Sequence, residues 1–165
     1  MNTKPLSNSS QKVQDKLHEL GYPYTVIESD VHTRTAQQAA DFAGCKLGQI
    51  TKSLIFKGLE SGKPILVLAS GPNRVDEALI STYAAEPIGR ADADFVRAVT
   101  GFAIGGVPPI CHAQAMETYL DEDLLQYDTI WAAAGTPNSV FELTPAALAA
   151  MTGGKVAAVK VLNQA

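Results

Sequence analysis

The chain has 165 residues, of which 46% are hydrophobic and 18% are charged, and this length is typical of one domain. A chain of this size can bury enough apolar surface to fold without disulfides or a structural metal. The formal net charge of −4 argues against a protein that coats nucleic acid with a broad basic face. No apolar run approaches the roughly 20 residues of a membrane span, and the polar N-terminus lacks a signal-peptide pattern, so we expect a cytoplasmic protein.

Apolar spacing, cap residues and Gly/Pro punctuation predict the elements along the chain. Residues 1–9 are polar, and we expect them to be disordered. In chain order, the predicted elements are a helix from Ser10 to the glycine at 21, a short strand over 24–28, a helix from Thr35 to Gly44, a hairpin of strands 53–56 and 65–69, helices over 76–84 and 91–99, a short strand over 102–104, strands over 129–134 and 140–143, and a helix opened by Thr144 and Pro145.

The predicted strands come in neighbouring pairs between helices rather than in strict strand–helix alternation. This order indicates an α+β fold, with a mixed or mostly antiparallel sheet surrounded by helices. There is no internal repeat or linker, so the whole chain, residues 1–165, is predicted to be a single domain.

Several familiar catalytic sets are missing from the sequence. The three histidines show no metal-ligand spacing, so we expect neither a metal nor a cofactor. There is no nucleophile elbow, phosphate-binding loop or dinucleotide fingerprint. The pair Cys111-His112 leaves a thiol nucleophile open, although adjacent side chains usually point apart and an isolated cysteine is more often a small buried hydrophobe.

Two features are better candidates for a site. Lys52 comes directly before an apolar strand, where its ammonium is either aimed into a cleft or simply solvated at the strand end. The run Gly105-Gly106-Val107-Pro108-Pro109 combines glycines, which allow a ligand close to backbone N–H groups, with prolines that fix the shape of the loop. An ordinary tight connection would have the same composition.

These residues are part of an ordered motif set that resembles one family. The set comprises His32-Thr33-Arg34-Thr35, Lys52-Ser53-Leu54, Gly71 to Arg74, Thr100 to Pro109 and Ala133-Ala134-Gly135. In order and spacing it is similar to the YbaK / prolyl-tRNA synthetase-associated editing domain, including free-standing trans-editing members, over about residues 10–160. The sequence departs from the family at Cys111, because relatives often have glycine before the histidine that follows the loop.

The resemblance implies a mixed, mostly antiparallel, barrel-like sheet surrounded by helices, and hydrolysis of the ester in mischarged aminoacyl-tRNA. It places the family lysine at Lys52 and the GxxxP loop at Gly105, Gly106 and Pro109, and the glycine N–H groups of this loop are expected to stabilise an oxyanion. The remaining residues are expected to bind substrate: Thr35, Ser53 and Ala134 as the wall of a small pocket, Arg34 and Arg74 at phosphates, and Gly135 and His112.

The sequence therefore favours a trans-editing deacylase acting on tRNA for proline that bears a small non-proline amino acid. Its partners are expected to be the 3′ end of mischarged tRNA and an aminoacyl-tRNA synthetase, with no membrane. The alternative is a non-catalytic module that binds a nucleotide or a tRNA end in the same cleft.

Overall fold

The structure is a computed structural model that describes residues 4–31, 33 and 35–162. Within these residues, five α-helices surround a sheet of eight strands, which confirms the predicted α+β class. The elements are α1 Asn8–Glu19, β1 Val26–Glu28, α2 Ala36–Ala43, β2 Ile50–Gly58, β3 Pro64–Ser70, α3 Glu77–Ala84, β4 Ile88–Arg90, α4 Ala93–Thr100, β5 Glu117–Asp121, β6 Ile130–Ala133, β7 Ser139–Leu143, α5 Pro145–Thr152 and β8 Lys155–Ala157. Single 3-10 turns precede β2 and follow β5.

The sheet is mixed, as predicted. Its strand order is β1-β7-β6-β2-β3-β5-β8, and β4 pairs with β2 outside this path. Four pairings are antiparallel: β1 with β7, β6 with β7, and β2 with both β3 and β4. The pairings of β2 with β6, β3 with β5 and β5 with β8 are parallel.

Strand β3 lies at the centre of the core, and all seven of its residues are buried. Its side chains alternate between the two faces of the sheet, as the two-residue period of a strand requires. Leu66 and Leu68 pack into the larger apolar cluster with α1, α4 and α5. Ile65 and Val67 pack on the opposite face, where Ile80 of α3 contributes. Both faces are therefore covered, as the continuous apolar run of β3 predicts.

The predicted helix ends are confirmed where a cap determines them. The Thr35 side chain accepts a hydrogen bond from the backbone N–H of Gln38, and Gly44 ends α2 in the left-handed conformation. Thr144 caps α5 in the same way, with Pro145 at its first turn. In the part of the chain that the structure describes, no helix is long and apolar enough to cross a membrane.

Other predictions need correction. Residues 4–9 were expected to be disordered, but α1 begins at Asn8 and the Lys4 N–H donates to the Glu28 carbonyl. The rest of that expectation, residues 1–3, lies outside the described residues. Residues 102–104 do not form a strand. Instead, the Phe102 N–H donates to the Thr100 hydroxyl and the chain turns, which buries Phe102 and exposes Ile104. Strands β4, β5 and β8 were not predicted.

A buried carboxylate joins the N-terminal segment to the sheet edge. Glu28 is 1% exposed and accepts the Ser7 N–H at 2.9 Å, and the Lys4 ammonium lies 3.6 Å from it. Burial alone would raise the pKa of Glu28, but the hydrogen bonds from Ser7 and Ser10 and the charge of Lys4 outweigh it and hold this pKa below 4.5. The folded state therefore favours the ionised form.

Replacing this carboxylate should weaken the fold in a pH-dependent way. A folded-state pKa below the unfolded value stabilises the protein at pH above the unfolded pKa, and the contribution is lost as the pH falls through the folded pKa. We expect Glu28→Gln to lower the free energy of unfolding at pH 7 by about 1–3 kcal/mol. Urea unfolding at a series of pH values measures this loss, and the gap between variant and wild type should narrow as the pH falls from the ordinary glutamate pKa through the lower folded-state pKa. A gap that is absent at pH 7, or that does not narrow as the pH is lowered, would contradict this account.

Candidate functional site

The site is organised by a gap in the pairing of β2. On one edge, β2 pairs with β3 without interruption from Thr51 to Lys57. On its other edge, β6 pairs only with Ile50 and Thr51, and β4 pairs only from Phe56 onward. Among the described strands, none covers residues 52–55 on that edge.

The backbone of Ser53 faces this gap. The Ile55 carbonyl accepts the Ala91 N–H at 3.4 Å, on the β4 side of β2. Residues two apart along a strand direct their N–H and C=O groups to the same edge. The N–H and C=O of Ser53 therefore point away from β3, into the space between β6 and β4.

Two clefts open at this gap, and both are bordered by residues 52–54, Ile104 and Val107. The narrow cleft, of about 390 Å³, extends toward α3 and β4 and is lined further by Pro72, Asn73, Arg74, Val75, Glu77, Arg90, Ala91, Val96 and two residues of β2, Ile55 and Phe56. The wide cleft, of about 610 Å³, extends toward α2 and β6 and is lined further by Thr33, Thr35, Ala36, Ala39, Ile50, Thr51, Gly105, Trp131, Ala132, Ala133, Pro137, Ser139 and Val140.

Lys52 lies where the two clefts meet. It is the third residue of β2 rather than a residue before the strand, so its backbone is held by pairing with Ala69. Its ammonium donates a hydrogen bond to the main-chain carbonyl of Asn73 at 2.7 Å. Burial lowers the pKa of Lys52 below 10.5, and the charge of Asp121 opposes this shift. The lysine is thus a fixed cleft residue and not a solvated strand end.

Two hydroxyls beside Lys52 have no hydrogen-bond partner among the described residues. They are the side-chain oxygens of Thr51 and Ser53, and both are inaccessible to water. An unpaired buried hydroxyl costs about 1–3 kcal/mol. Thr51 lines the wide cleft and Ser53 lines both clefts, so the two unpaired hydroxyls belong to residues of the cleft walls.

The glycine loop crosses the open edge, but its two glycines differ. The Gly106 N–H donates to the Ala103 carbonyl at 3.0 Å, and the Gly106 carbonyl accepts the Gly135 N–H at 2.9 Å. The Gly106 N–H is therefore already used and is unsuited to the predicted role of oxyanion donor. Gly105 lines the wide cleft with a φ of +89°, and its N–H has no backbone acceptor among the described residues. The geometry leaves Gly105 as the candidate donor.

The turn after β6 supports this loop and forms one wall of the wide cleft. The Thr33 hydroxyl donates to the Pro137 carbonyl, which connects the segment before α2 to the turn. Asn138 fastens the turn to the sheet edge by donating its amide to the Ser29 carbonyl at 2.5 Å. Thr35, a predicted wall residue, does line the cleft, although its hydroxyl is used in capping α2.

The other predicted site residues lie outside the clefts or at their rim. Arg74 borders the narrow cleft. Ala134 is fully buried in the larger core, and Gly135 is buried behind the loop, 2.9 Å from the Gly106 carbonyl. Pro109 is buried and lines neither cleft. Arg34 and its neighbour in the motif, His32, lie outside the described residues, so the phosphate contact predicted for Arg34 stays a prediction.

His112 and Cys111 lie behind the loop and away from both clefts. The ring Nε2 of His112 is 2.6 Å from the Pro108 carbonyl, so it carries the proton and donates it to that carbonyl. Burial lowers the pKa of His112. Burial also raises the pKa of Cys111, whose thiol faces the Lys12 carbonyl, and this disfavours the thiolate that a nucleophile needs. Nowhere in the described ranges do three metal-ligating side chains converge.

Sequence reasoning missed several cleft residues. Trp131 lines the wide cleft and is the one tryptophan of the chain, and Arg90 lines the narrow cleft. Ile104 borders both clefts although it is 57% exposed. The sequence signal for Ile104 was its place directly before a glycine pair, where an apolar side chain can border a ligand cleft. For Arg90, no local pattern separates it from a solvated surface arginine.

Comparison with known proteins identifies relatives across most of the chain. The family model described as the aminoacyl-tRNA editing domain matches residues 30–151. The uncharacterised protein YwhH of Bacillus subtilis (strain 168) is 35% identical over 131 residues, which cover 79% of this chain and 83% of that protein. A crystal structure described as a candidate trans-editing enzyme for prolyl-tRNA synthetase is 46% identical, with a TM-score of 0.91 over 95% of this chain and 99% of that one. The hypothetical protein APE2540 is 28% identical, with a TM-score of 0.84 over 91% and 99% of the two chains.

The two loop glycines should differ in their effect on stability. A Cβ at Gly106 would lie 2.8 Å from the Cα of Thr136, a backbone contact that cannot yield without moving the turn. A Cβ at Gly105 would contact only Pro137, at 3.8 Å. The main cost of a side chain there is the backbone strain of its left-handed φ. We expect Gly106→Ala to destabilise by roughly 2–4 kcal/mol, and Gly105→Ala by about 1–2 kcal/mol. Urea unfolding of both variants measures the difference, and equal losses or a stable Gly106→Ala would contradict the packing described.

Proposed function

Because the chain belongs to the aminoacyl-tRNA editing domain family, we propose that it is a cytoplasmic trans-editing deacylase that removes a small non-proline amino acid from mischarged tRNA for proline. The observation that carries the proposal is the open edge of β2. There a fixed lysine, an unpaired hydroxyl and the loop glycine Gly105 surround one space. The neighbour described as a candidate trans-editing enzyme for prolyl-tRNA synthetase supports the choice of tRNA.

The two clefts suit the two parts of an aminoacyl-tRNA end. The wide cleft takes the aminoacyl group, because Thr35, Ser53 and Gly105 line it. The narrow cleft takes the terminal nucleotide, because Arg74 and Arg90 stand at it and guanidinium groups bind phosphate well. Lys52, which borders both clefts, then lies beside the ester that joins the two parts. We expect the walls of the wide cleft to discriminate between amino acids, as in a second sieve.

The reaction needs no strong nucleophile. A water oxygen adds to the ester carbonyl carbon, and the negative charge that develops on the carbonyl oxygen is stabilised by the Gly105 N–H and the Lys52 ammonium. The bond from this carbon to the ribose oxygen then breaks. The ribose oxygen takes up a proton and leaves as the hydroxyl, while the amino acid leaves as its carboxylate with release of the water's other proton. The neighbouring hydroxyl of the terminal ribose orients the water.

Protonated Lys52 fits this role better than a general base would. Its pKa is lowered by burial, but the charge of Asp121 favours the ammonium form. The hydrogen bond from this ammonium to the Asn73 carbonyl also fixes the direction of the lysine side chain toward the cleft. An ammonium in a partly buried site attracts a developing oxyanion more strongly than one in water does.

Binding of tRNA is expected to be weak and to depend on the 3′ end or on a synthetase that presents it. The chain carries 13 Lys and Arg against 17 Asp and Glu, so few phosphates can be neutralised. A small number of phosphate contacts implies a shallow dependence of affinity on salt concentration.

Deacylation by a lysine variant tests the proposal. We expect the wild type to hydrolyse at least one mischarged tRNA for proline, and Lys52→Ala to do so roughly 10²–10³-fold more slowly, the scale of one lost oxyanion-stabilising donor. The measurement is release of labelled amino acid across a panel of tRNA and amino acid pairs. Correctly charged prolyl-tRNA should remain intact.

Lys57→Ala is the matched control. Lys57 is on the same strand but is exposed, and its ammonium lies 5.1 Å from the ring centroid of Phe95, outside both clefts. This variant should keep the wild-type rate. Equal rates for Lys52→Ala and wild type would remove the lysine from the mechanism. If the wild type binds the tRNA end but turns over none of the panel, the protein is a binding module instead.

A further inference from the structure

The turn from Ser70 to Asn73, whose last carbonyl accepts the hydrogen bond from Lys52, is stabilised by a buried polar network. Asn73, which is 9% exposed, presents its carbonyl to the Lys52 ammonium at 2.7 Å. Its backbone N–H donates to the Ser70 carbonyl at 2.9 Å, which closes the turn. At Gly71 the turn passes so close to the Leu47 carbonyl that a Cβ would lie 2.3 Å from it. The position of the Asn73 carbonyl is thus fixed on both sides.

The side chain of Asn73 connects this turn to two carboxylates at the end of β5. Its amide donates to Asp121 at 2.7 Å and to Asp123 at 2.8 Å. Asp121 is 1% exposed and also accepts the Ser70 N–H at 3.0 Å and the Asp123 N–H at 2.9 Å. Lys160 covers the outer side by donating to Asp123 at 2.8 Å.

The charged groups around Lys52 differ in how deeply they are buried. Among the described residues, the charged groups around Lys52 are Arg74 beside the turn, Glu77 on α3, Arg90 on β4, and Asp121, Asp123 and Lys160 behind the turn. Glu77 and Arg90 pair with each other at 3.8 Å near the surface, and Lys160 neutralises Asp123. In this set Asp121 is the deeply buried carboxylate, and the hydrogen bonds that it accepts from described residues come from neutral amides.

We propose that Asp121 and Asn73 are positioning residues for Lys52: the buried carboxylate orients the Asn73 amide, and the Asn73 carbonyl then holds the lysine as an ammonium aimed into the cleft. The inference deepens the proposed function, because it explains how the lysine stays charged in a partly buried place. Neither residue needs to touch the substrate. Their effect passes through the hydrogen bond to Lys52, which is the group that meets the ester.

The direct test is the titration of Lys52 itself, followed by NMR of the lysine Cε signals in the free protein. Asp121→Asn removes the negative charge, so the ammonium is favoured less and the pKa of Lys52 should fall further. The control is Asp123→Asn, which also alters an Asn73 contact but changes a carboxylate neutralised by Lys160, and it should shift the pKa much less. In deacylation assays, the alkaline loss of activity should move to lower pH in Asp121→Asn.

The outcomes are distinct. A folded Asp121→Asn with a wild-type Lys52 titration would overturn the inference. A shifted titration in a protein whose wild type deacylates nothing would leave the positioning network standing and reject the proposed function. Because asparagine at 121 turns one acceptor into a donor, folding is checked first by circular dichroism.

If Asp121→Asn does not fold, Asn73→Ala decides. It keeps the carbonyl and both carboxylates but removes the amide that joins them. We expect the Lys52 side chain to lose order, seen as two separate Cε proton signals merging into one, with a fall in deacylation rate. Separate signals, an unchanged titration and a wild-type rate in this variant would overturn the inference.

Discussion

The constraint on which the site depends is that β2 has a complete partner on one edge and an interrupted one on the other. Strand β3 pairs with it from Thr51 to Lys57, so its backbone is rigid. Strand β6 pairs with β2 only as far as Thr51, and β4 pairs with it only from Phe56 onward. Residues 52–55 of β2 therefore have no strand partner on that edge. A backbone in a sheet normally satisfies its N–H and C=O groups there, and an uncovered pair must find water or a ligand. The same opening brings Lys52 and Ser53 to the clefts without any distortion of the strand.

The elements around the opening are held by contacts that only small residues allow. Gly106 lies against the turn after β6, with the Gly135 N–H on its carbonyl, so the loop that crosses β2 is built on that turn. The turn is held in place by Asn138 on the Ser29 carbonyl. One glycine of the loop is therefore structural, while its neighbour Gly105 remains available at the cleft. The sequence motif combines these two roles in adjacent residues.

Local signals explain which parts of the fold could be predicted. Helices α2 and α5 were predicted from their threonine caps, since a cap acts within three residues of itself. The β2–β3 hairpin followed from two apolar runs around a glycine turn. Strand β5 escaped prediction because a run that begins with Glu117 and ends with Asp121 has no clear alternation, and its pairing with β3 is parallel and long-range. Residues 102–104 were wrongly predicted as a strand, because the hydroxyl of Thr100 bends the chain there.

The site was predictable only in part, because the sequence carries local signals but not the long-range contacts. Lys52 and Gly105 stand in motifs, and the sequence indicated both. The hydrogen bond from Lys52 to the Asn73 carbonyl joins residues that are 21 positions apart in the sequence. The hydrogen bond from Asn73 to Asp121 joins residues 48 positions apart, so only the order of strands in the sheet brings these groups together. Gly106 and Gly135 were both predicted to act on substrate, but their close packing against each other depends on a turn that no local pattern describes.

The most direct measurement of the central claim is the response of backbone amide signals when a non-hydrolysable amide analogue of an aminoacyl-adenosine binds. Heteronuclear NMR of the labelled protein would follow every N–H during the titration, and the indole of Trp131 gives an independent fluorescence signal from the wide cleft. The account predicts the largest shifts at the N–H groups of Ser53 and Gly105, together with a change at Trp131. Saturable binding that leaves these two amides unmoved, or that shifts signals around Cys111 instead, would contradict it.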